Sequence, residues 1–147
     1  MTTALANDAR QRFLAPARDP VLFVLGGLGL LALILPPPNY SLQWHWLLGK
    51  AALEEFVTRL LFQDFLLRFA PMRRAIGPVT GANATASLAF AAMHLVQHNP
   101  IQAMLVFFPA LVFGYAWDRW RTLWPCVALH FTYNWLLFHN HDLLALF

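Results

Sequence analysis

The stretch Leu53-Glu54-Glu55-Phe56-Val57-Thr58-Arg59-Leu60-Leu61-Phe62 decides how this chain is read. Two adjacent carboxylates and an arginine stand inside a run that reads as otherwise apolar from Trp44 to Phe69. A charge at membrane depth costs roughly 3 kcal/mol on insertion scales, so it is seldom there by accident. On a helix, Glu55 and Arg59 share a face in the order favoured for an i,i+4 ion pair. Glu54 lies about 100° further round and has no evident local partner. What Glu54 meets has to come from elsewhere in the chain.

The composition supports a membrane setting for that run. At 147 residues the chain suits one domain. It is 59% hydrophobic and 12% charged, with a mean hydropathy of +0.52. A soluble protein of this size could not hide so much apolar surface, so part of its solvent is expected to be lipid. The net charge of +3 and pI near 9.6 do not point to nucleic acid. The basic residues fall in short clusters between apolar runs and form no stripe or recognition motif. The single cysteine, Cys126, excludes an internal disulfide or a multi-cysteine metal site and reads as a small buried hydrophobe.

Outward from the central stretch, the chain divides into an N-terminal tail, residues 1–19, and a membrane domain, residues 20–147. The tail is polar, with Arg10, Arg12 and Arg18, and reads as cytoplasmic. Val21 to Leu35 is a first span; a signal peptide is the competing reading, but no small-residue cleavage site follows, only prolines. The carboxylate run, Trp44 to Phe69, is the second span, ended by Pro71. The third, Gly81 to Val96, is rich in Gly, Ala and Ser, which permit close helix approach in lipid, so it is expected to be central. Ile101 to Trp117, with Pro109 as a kink, is the fourth, and Leu123 to Phe138 the fifth. Lys and Arg alternate across the connections, and this predicts an all-α bundle of about five spans, N-terminus in and C-terminus out.

Two further polar pairs interrupt these helices. Phe90 and His94 stand one turn apart on the small-residue span, and His130 and Asn134 one turn apart on the fifth. Polar groups within a span face the bundle interior, so Glu54, Glu55, Arg59, His94, His130 and Asn134 are expected around one cavity. A carboxylate in a low-dielectric site can act as a general base near neutral pH, and a histidine beside it can share the proton. A second histidine and an asparagine amide can hydrogen-bond a developing oxyanion. Each pair alone also has a structural reading: Glu55–Arg59 as an ion pair, His130–Asn134 as interhelical glue, and His94 as a satisfied core residue. His45, His98, His139, His141, Asp64 and Asp142 lie near span ends and receive no role.

In order, Glu54-Glu55-x-x-x-Arg59, Phe90-x-x-x-His94 and His130-x-x-x-Asn134 resemble the three motifs of the CPBP family of intramembrane proteases, which includes the type II CAAX prenyl endopeptidase. Gly114 through Leu123-Trp124-Pro125 to His130 also resembles that family's approach to its third motif, with Arg121-Thr122 where a Thr-Gly-Ser turn is common. The resemblance covers about Ala51 to Leu136. It implies a glutamic-type endopeptidase without cofactor: Glu54 with His94 activates water, His130 with Asn134 holds the oxyanion, and Glu55, Arg59 and Phe90 support them. The implied partners are membrane lipid and a peptide or protein with a membrane-proximal C-terminal tail, in a multi-pass protein of the bacterial cytoplasmic membrane. Three alternatives stay open. Zinc could be held by Glu54, His94 and His130; the chain could be a bacteriocin-immunity or other binding protein; or buried Glu and His could serve a small transporter. By the charge count, the polar set leans to the extracytoplasmic half.

Overall fold

The computed structural model describes residues 2–38, 42–96 and 99–140, and these are almost entirely helical. The first helix, α1 (Thr2–Arg18), runs up to Asp19, which caps α2 (Pro20–Leu28) by accepting the Val21 N–H at 3.0 Å. Pro20 occupies the first helical position, where a missing N–H costs nothing. The chain bends by 49° between the two helices. Past Leu28 the backbone tightens into a 3-10 segment, Gly29–Ile34. Gly29 faces Tyr133, where an added Cβ would stand 2.7 Å from the ring's Cδ1, and the Tyr133 hydroxyl donates to the Leu25 carbonyl at 2.6 Å. The absent side chain is what lets that tyrosine in.

The carboxylate run is one continuous rod in three parts: α3 (Trp44–Glu55), a π-helical stretch (Phe56–Gln63) and α4 (Asp64–Leu66). Buried side chains recur every fourth residue along it, at Leu47, Ala51, Glu55, Arg59, Gln63 and Leu67, with Thr58 buried beside Arg59. In an α-helix a four-residue step overshoots one turn by about 40°, so such a row would spiral off the inner face. The wider i→i+5 turns of the π stretch bring it back. The run is also less apolar than its sequence first suggests: Lys50 and Gln63 both take part in polar contacts.

After a 3-10 turn (Ala70–Arg73), β1 (Ala75–Ile76) and β2 (Val79–Thr80) pair antiparallel, Ala75 opposite Thr80, around Gly77 at φ +60°. Thr80 then caps α5 (Gly81–His94) by accepting the Asn83 N–H at 3.0 Å. Asn99 caps α6 (Pro100–Trp120) in the same way through Gln102, and α7 (Leu123–Phe138) has the bounds expected of the fifth span. The small residues Ala82, Ala86, Ser87 and Ala91 are the buried face of α5, as expected for a close-packed helix. His98, His141 and Asp142 lie outside the described residues.

The polarity of the bundle is inverted relative to a soluble protein. Glu55, Arg59, Gln63, Asn83 and Ser87 are fully buried, whereas Phe23, Leu31, Trp46, Leu53, Leu88, Ile101 and Met104 are exposed. An apolar exterior around a polar centre suits lipid as solvent. By length and composition, α6 is the one described helix able to cross a membrane alone, and the bent α1–α2 pair would be a second. At 14 residues, α5 falls short of the roughly 20 that a full crossing needs.

Three connections meet at one end. Arg119 and the Trp120 indole donate to Asp19 at 2.8 and 3.1 Å, Arg121 donates to Asp64 at 2.8 Å, and Thr80 donates to Asp118 at 2.7 Å. The hydrogen bond from Arg119, followed by that from the Val21 N–H, holds the Asp19 carboxyl below the usual carboxylate range.

Candidate active site

The centre of the site is His130, delivered by α7 and 4% exposed. Its Nδ1 lies 2.8 Å from Glu55 Oε1, and its Nε2 lies 3.5 Å from Glu54 Oε2. Phe113 of α6 stacks on the ring at 4.9 Å and 15°, and Phe90 of α5 meets it edge-on at 5.9 Å and 85°. Contacts on four sides therefore fix the imidazole. An ionised carboxylate only accepts, so Nδ1 carries the proton towards Glu55, and Nε2 of the neutral ring is itself an acceptor. Glu54 Oε2 is buried and has no hydrogen-bond partner among the described residues. With the ring neutral, two acceptors face each other at 3.5 Å, too close for a water between them, so either a proton shared across the gap or a water beside them donating to both would complete the pairing.

Behind Glu55 lies a chain of buried hydrogen bonds. Arg59 Nε donates to Glu55 Oε2 at 3.0 Å, Nη1 to Gln63 Oε1 at 2.9 Å and Nη2 to the Ala110 carbonyl at 3.0 Å. Gln63 Nε2 donates to the Gly114 carbonyl at 3.0 Å and to Asp118 Oδ1 at 2.9 Å. The Asn83 amide donates to the Leu111 carbonyl at 3.0 Å and its oxygen accepts from Ser87 at 3.0 Å. These side chains reach the backbone of α6 because Ala110 and Gly114 leave room. A Cβ on Gly114 would collide with the Asn83 amide and stand 2.9 Å from Arg59 Nη1. Both oxygens of Glu55 are therefore committed, and its buried charge is paired and hydrogen-bonded.

Glu54 does have a local partner, contrary to the sequence reading. Lys50, four residues earlier, places Nζ 3.0 Å from Glu54 Oε1. His94 closes α5; its Nδ1 lies 2.8 Å from the Phe90 carbonyl, which only accepts, so this nitrogen is the donor. The Phe90 ring is 4.6 Å from the His94 ring as well as touching His130, so it links the two histidines. Asn134 stands one turn beyond His130 on α7 and is half-buried. Glu54, Glu55, Arg59, Phe90 and His130 are thus in direct contact, His94 joins through Phe90, and Asn134 shares the helix of His130. Among the described residues no three His, Cys, Asp or Glu side chains come together as a metal-binding group.

Lys50, Gln63, Phe113 and Asp118 were not singled out from sequence. Lys50 and Gln63 were detectable in principle, since they continue the four-residue spacing on either side of Glu54 and Arg59. Phe113 and Asp118 carry no local signal.

A family model described as type II CAAX prenyl endopeptidase Rce1-like matches residues 22–136, a span that contains every residue of this site. No curated protein and no solved structure matches the chain.

Proposed function

Because this chain belongs to the Rce1-like family of type II CAAX prenyl endopeptidases, a membrane-embedded protease family, we propose that it is a glutamic-type intramembrane endopeptidase. The observation that carries this reading is the His130 ring held between two carboxylates, with the second oxygen of Glu54 buried and unpaired beside it. In this mechanism a water bound at Glu54 Oε2 attacks the scissile carbonyl carbon and gives its proton to that oxygen. The proton passes across the short gap to His130 Nε2, which then donates to the oxyanion together with the Asn134 amide. Collapse of the tetrahedral intermediate breaks the C–N bond, and the same proton leaves on the departing amine. His94 is the second proton partner of Glu54, while Glu55, backed by Arg59, keeps His130 in the required tautomer.

A hydrolytic zinc on Glu54, His94 and His130 is the competing mechanism, since a carboxylate behind one ring nitrogen also suits a metal-bound histidine. We take the metal-free form as the mechanism, with Glu54, His94 and His130 as proton and hydrogen-bond partners rather than ligands. For the membrane arrangement we propose five spans with the N-terminus in. The meeting at one end of the Asp19, Asp64–Thr80 and Asp118–Arg121 connections, with Arg18, Arg68, Arg73 and Arg74 alongside them in sequence, supports it. The substrate class is a membrane-anchored chain cut near its C-terminal tail.

The test uses purified protein with two quenched peptides: a farnesylated tail ending in Cys-aliphatic-aliphatic-X, and an unmodified transmembrane segment followed by a short tail. Mass spectrometry locates the cut. Wild-type protein is expected to cleave one of them, with or without chelator, and Glu54→Gln to lose about 10²–10⁴-fold in kcat at unchanged yield. Wild-type cleavage by Glu54→Gln would remove the general base from the mechanism, and activity that tracks bound zinc would replace it with the metal.

A further inference from the structure

We propose that Lys50 is a positioning residue for the catalytic carboxylate: its ammonium holds one oxygen of Glu54 so that the other faces His130. This rests on the reading of Glu54 as the base. Lys50 Nζ is 3.0 Å from Glu54 Oε1, while Glu54 Oε2 is the buried, unpaired oxygen 3.5 Å from His130 Nε2. A glutamate side chain on a helix samples several staggered rotamers unless a contact selects one. Glu55 is fixed at both oxygens by His130 and Arg59, whereas Lys50 is the only cation within ion-pair distance of Glu54 among the described residues, His130 aside. Arg59 is committed to Glu55, Gln63 and Ala110 and has turned to the other face.

The surroundings of Lys50 point the same way. Its side chain is 40% exposed on α3, between Trp46 and Leu53, which face outward at 65% and 64%. An ammonium on such a face normally extends away to water. Here it turns inward onto a carboxylate. The result is a symmetric arrangement along the rod, with a cation four residues before Glu54 and another four residues after Glu55. Lys50, Glu54, Glu55 and Arg59 together carry no net charge, which suits a site enclosed by lipid-facing helices. Without Lys50 the two carboxylates share a single cation, and Glu54 loses the contact that aims its free oxygen.

Lys50→Met keeps the packed stem and removes the ammonium; Lys50→Arg keeps a cation that can reach the same oxygen. On the peptide that wild-type protein cuts, Lys50→Met should lower kcat about tenfold to a hundredfold with KM unchanged, and Lys50→Arg should restore most of it. A merely structural surface pair would leave kcat alone in both. A substrate-free measurement runs beside it: ¹⁵N resonances of the His130 ring. The Nε2 signal, which faces Glu54, should move in Lys50→Met and return in Lys50→Arg, while Nδ1, held by Glu55, stays put. A Lys50→Met protein with wild-type kcat, or with an unmoved Nε2 signal, overturns the proposal. So does a raised KM at unchanged kcat, which would make Lys50 a contact of the peptide itself. Failure of the base reading shows separately, as an active Glu54→Gln protein.

Discussion

Replacing Arg59 by Met tests whether the charged row is held as a unit. Arg59 is fully buried and makes three hydrogen bonds, to Glu55, Gln63 and the Ala110 carbonyl. Methionine fills much of the volume but leaves the Glu55 carboxylate buried without its guanidinium and hydrogen-bonded to His130. Removing one member of a buried ion pair costs about 3–5 kcal/mol. That is a large share of a domain stability of about 5–15 kcal/mol, so the variant should express poorly and melt early. Glu55→Gln alone should also lower yield, because it strands the guanidinium. The decisive comparison is the double variant Glu55→Gln/Arg59→Met, in which neither charge is left alone. It should be more stable than additive single effects allow, by a coupling of about 1–3 kcal/mol. Denaturation of the purified variants in micelles, followed by the fluorescence of the six tryptophans, measures all four corners of the cycle. Additive losses would refute the view that Arg59 is retained mainly to neutralise Glu55.

Gly114→Ala should cost about 1–3 kcal/mol by thermal melt, since the new methyl meets the Asn83 amide and the Arg59 guanidinium in a filled interior. The lowered pKa of Asp19 means that its contribution to stability is present above the usual carboxyl range and is lost as pH falls below about 4. Hydrogen exchange at the Val21 amide and Trp120 indole should accelerate over that window, and Asp19→Asn should reproduce the acid behaviour at neutral pH. For topology, single cysteines at Asn99 and Arg73 in a Cys126→Ala background should label oppositely, Asn99 from outside and Arg73 from the cytoplasm. The reverse pattern would turn the bundle over.

The sequence was most legible where a signal repeats. The bounds of α7 matched the expected span, and the apolar-small pattern of Gly81 to Ala92 marked the helix that packs closely. The spacing of Glu55 to Arg59 fixed a face, and the ion pair is there. Less was legible where structure depends on distant partners. The π stretch follows from a demand that Glu55, Arg59 and Gln63 meet Ala110, Gly114 and Asp118, and nothing local encodes it. The β1–β2 pair is two residues per strand, too short for any period to register. Lys50 stands four residues before Glu54 as Arg59 stands four after Glu55, but whether an ammonium near a span end turns inward is set by the packed structure. The first span, Val21 to Leu35, is α-helical only to Leu28; where Tyr133 packs on Gly29 the backbone tightens into the 3-10 segment, which apolar sequence does not signal.

The inward polar row also constrains how the molecule can be made. Residues 44–66 leave the ribosome well before their partners: the Ala110 and Gly114 carbonyls follow Arg59 and Gln63 by 51 residues, and His130 follows Glu55 by 75. At roughly 5–20 residues per second, several seconds of synthesis separate the carboxylates from the imidazole they will hold. During that interval a guanidinium and two carboxylates have neither α6 nor α7 to shield them. We expect the nascent rod to wait beside the insertion machinery, with release to lipid only when the last helix arrives. On that expectation, assembly of the buried polar centre and completion of membrane insertion would be one event.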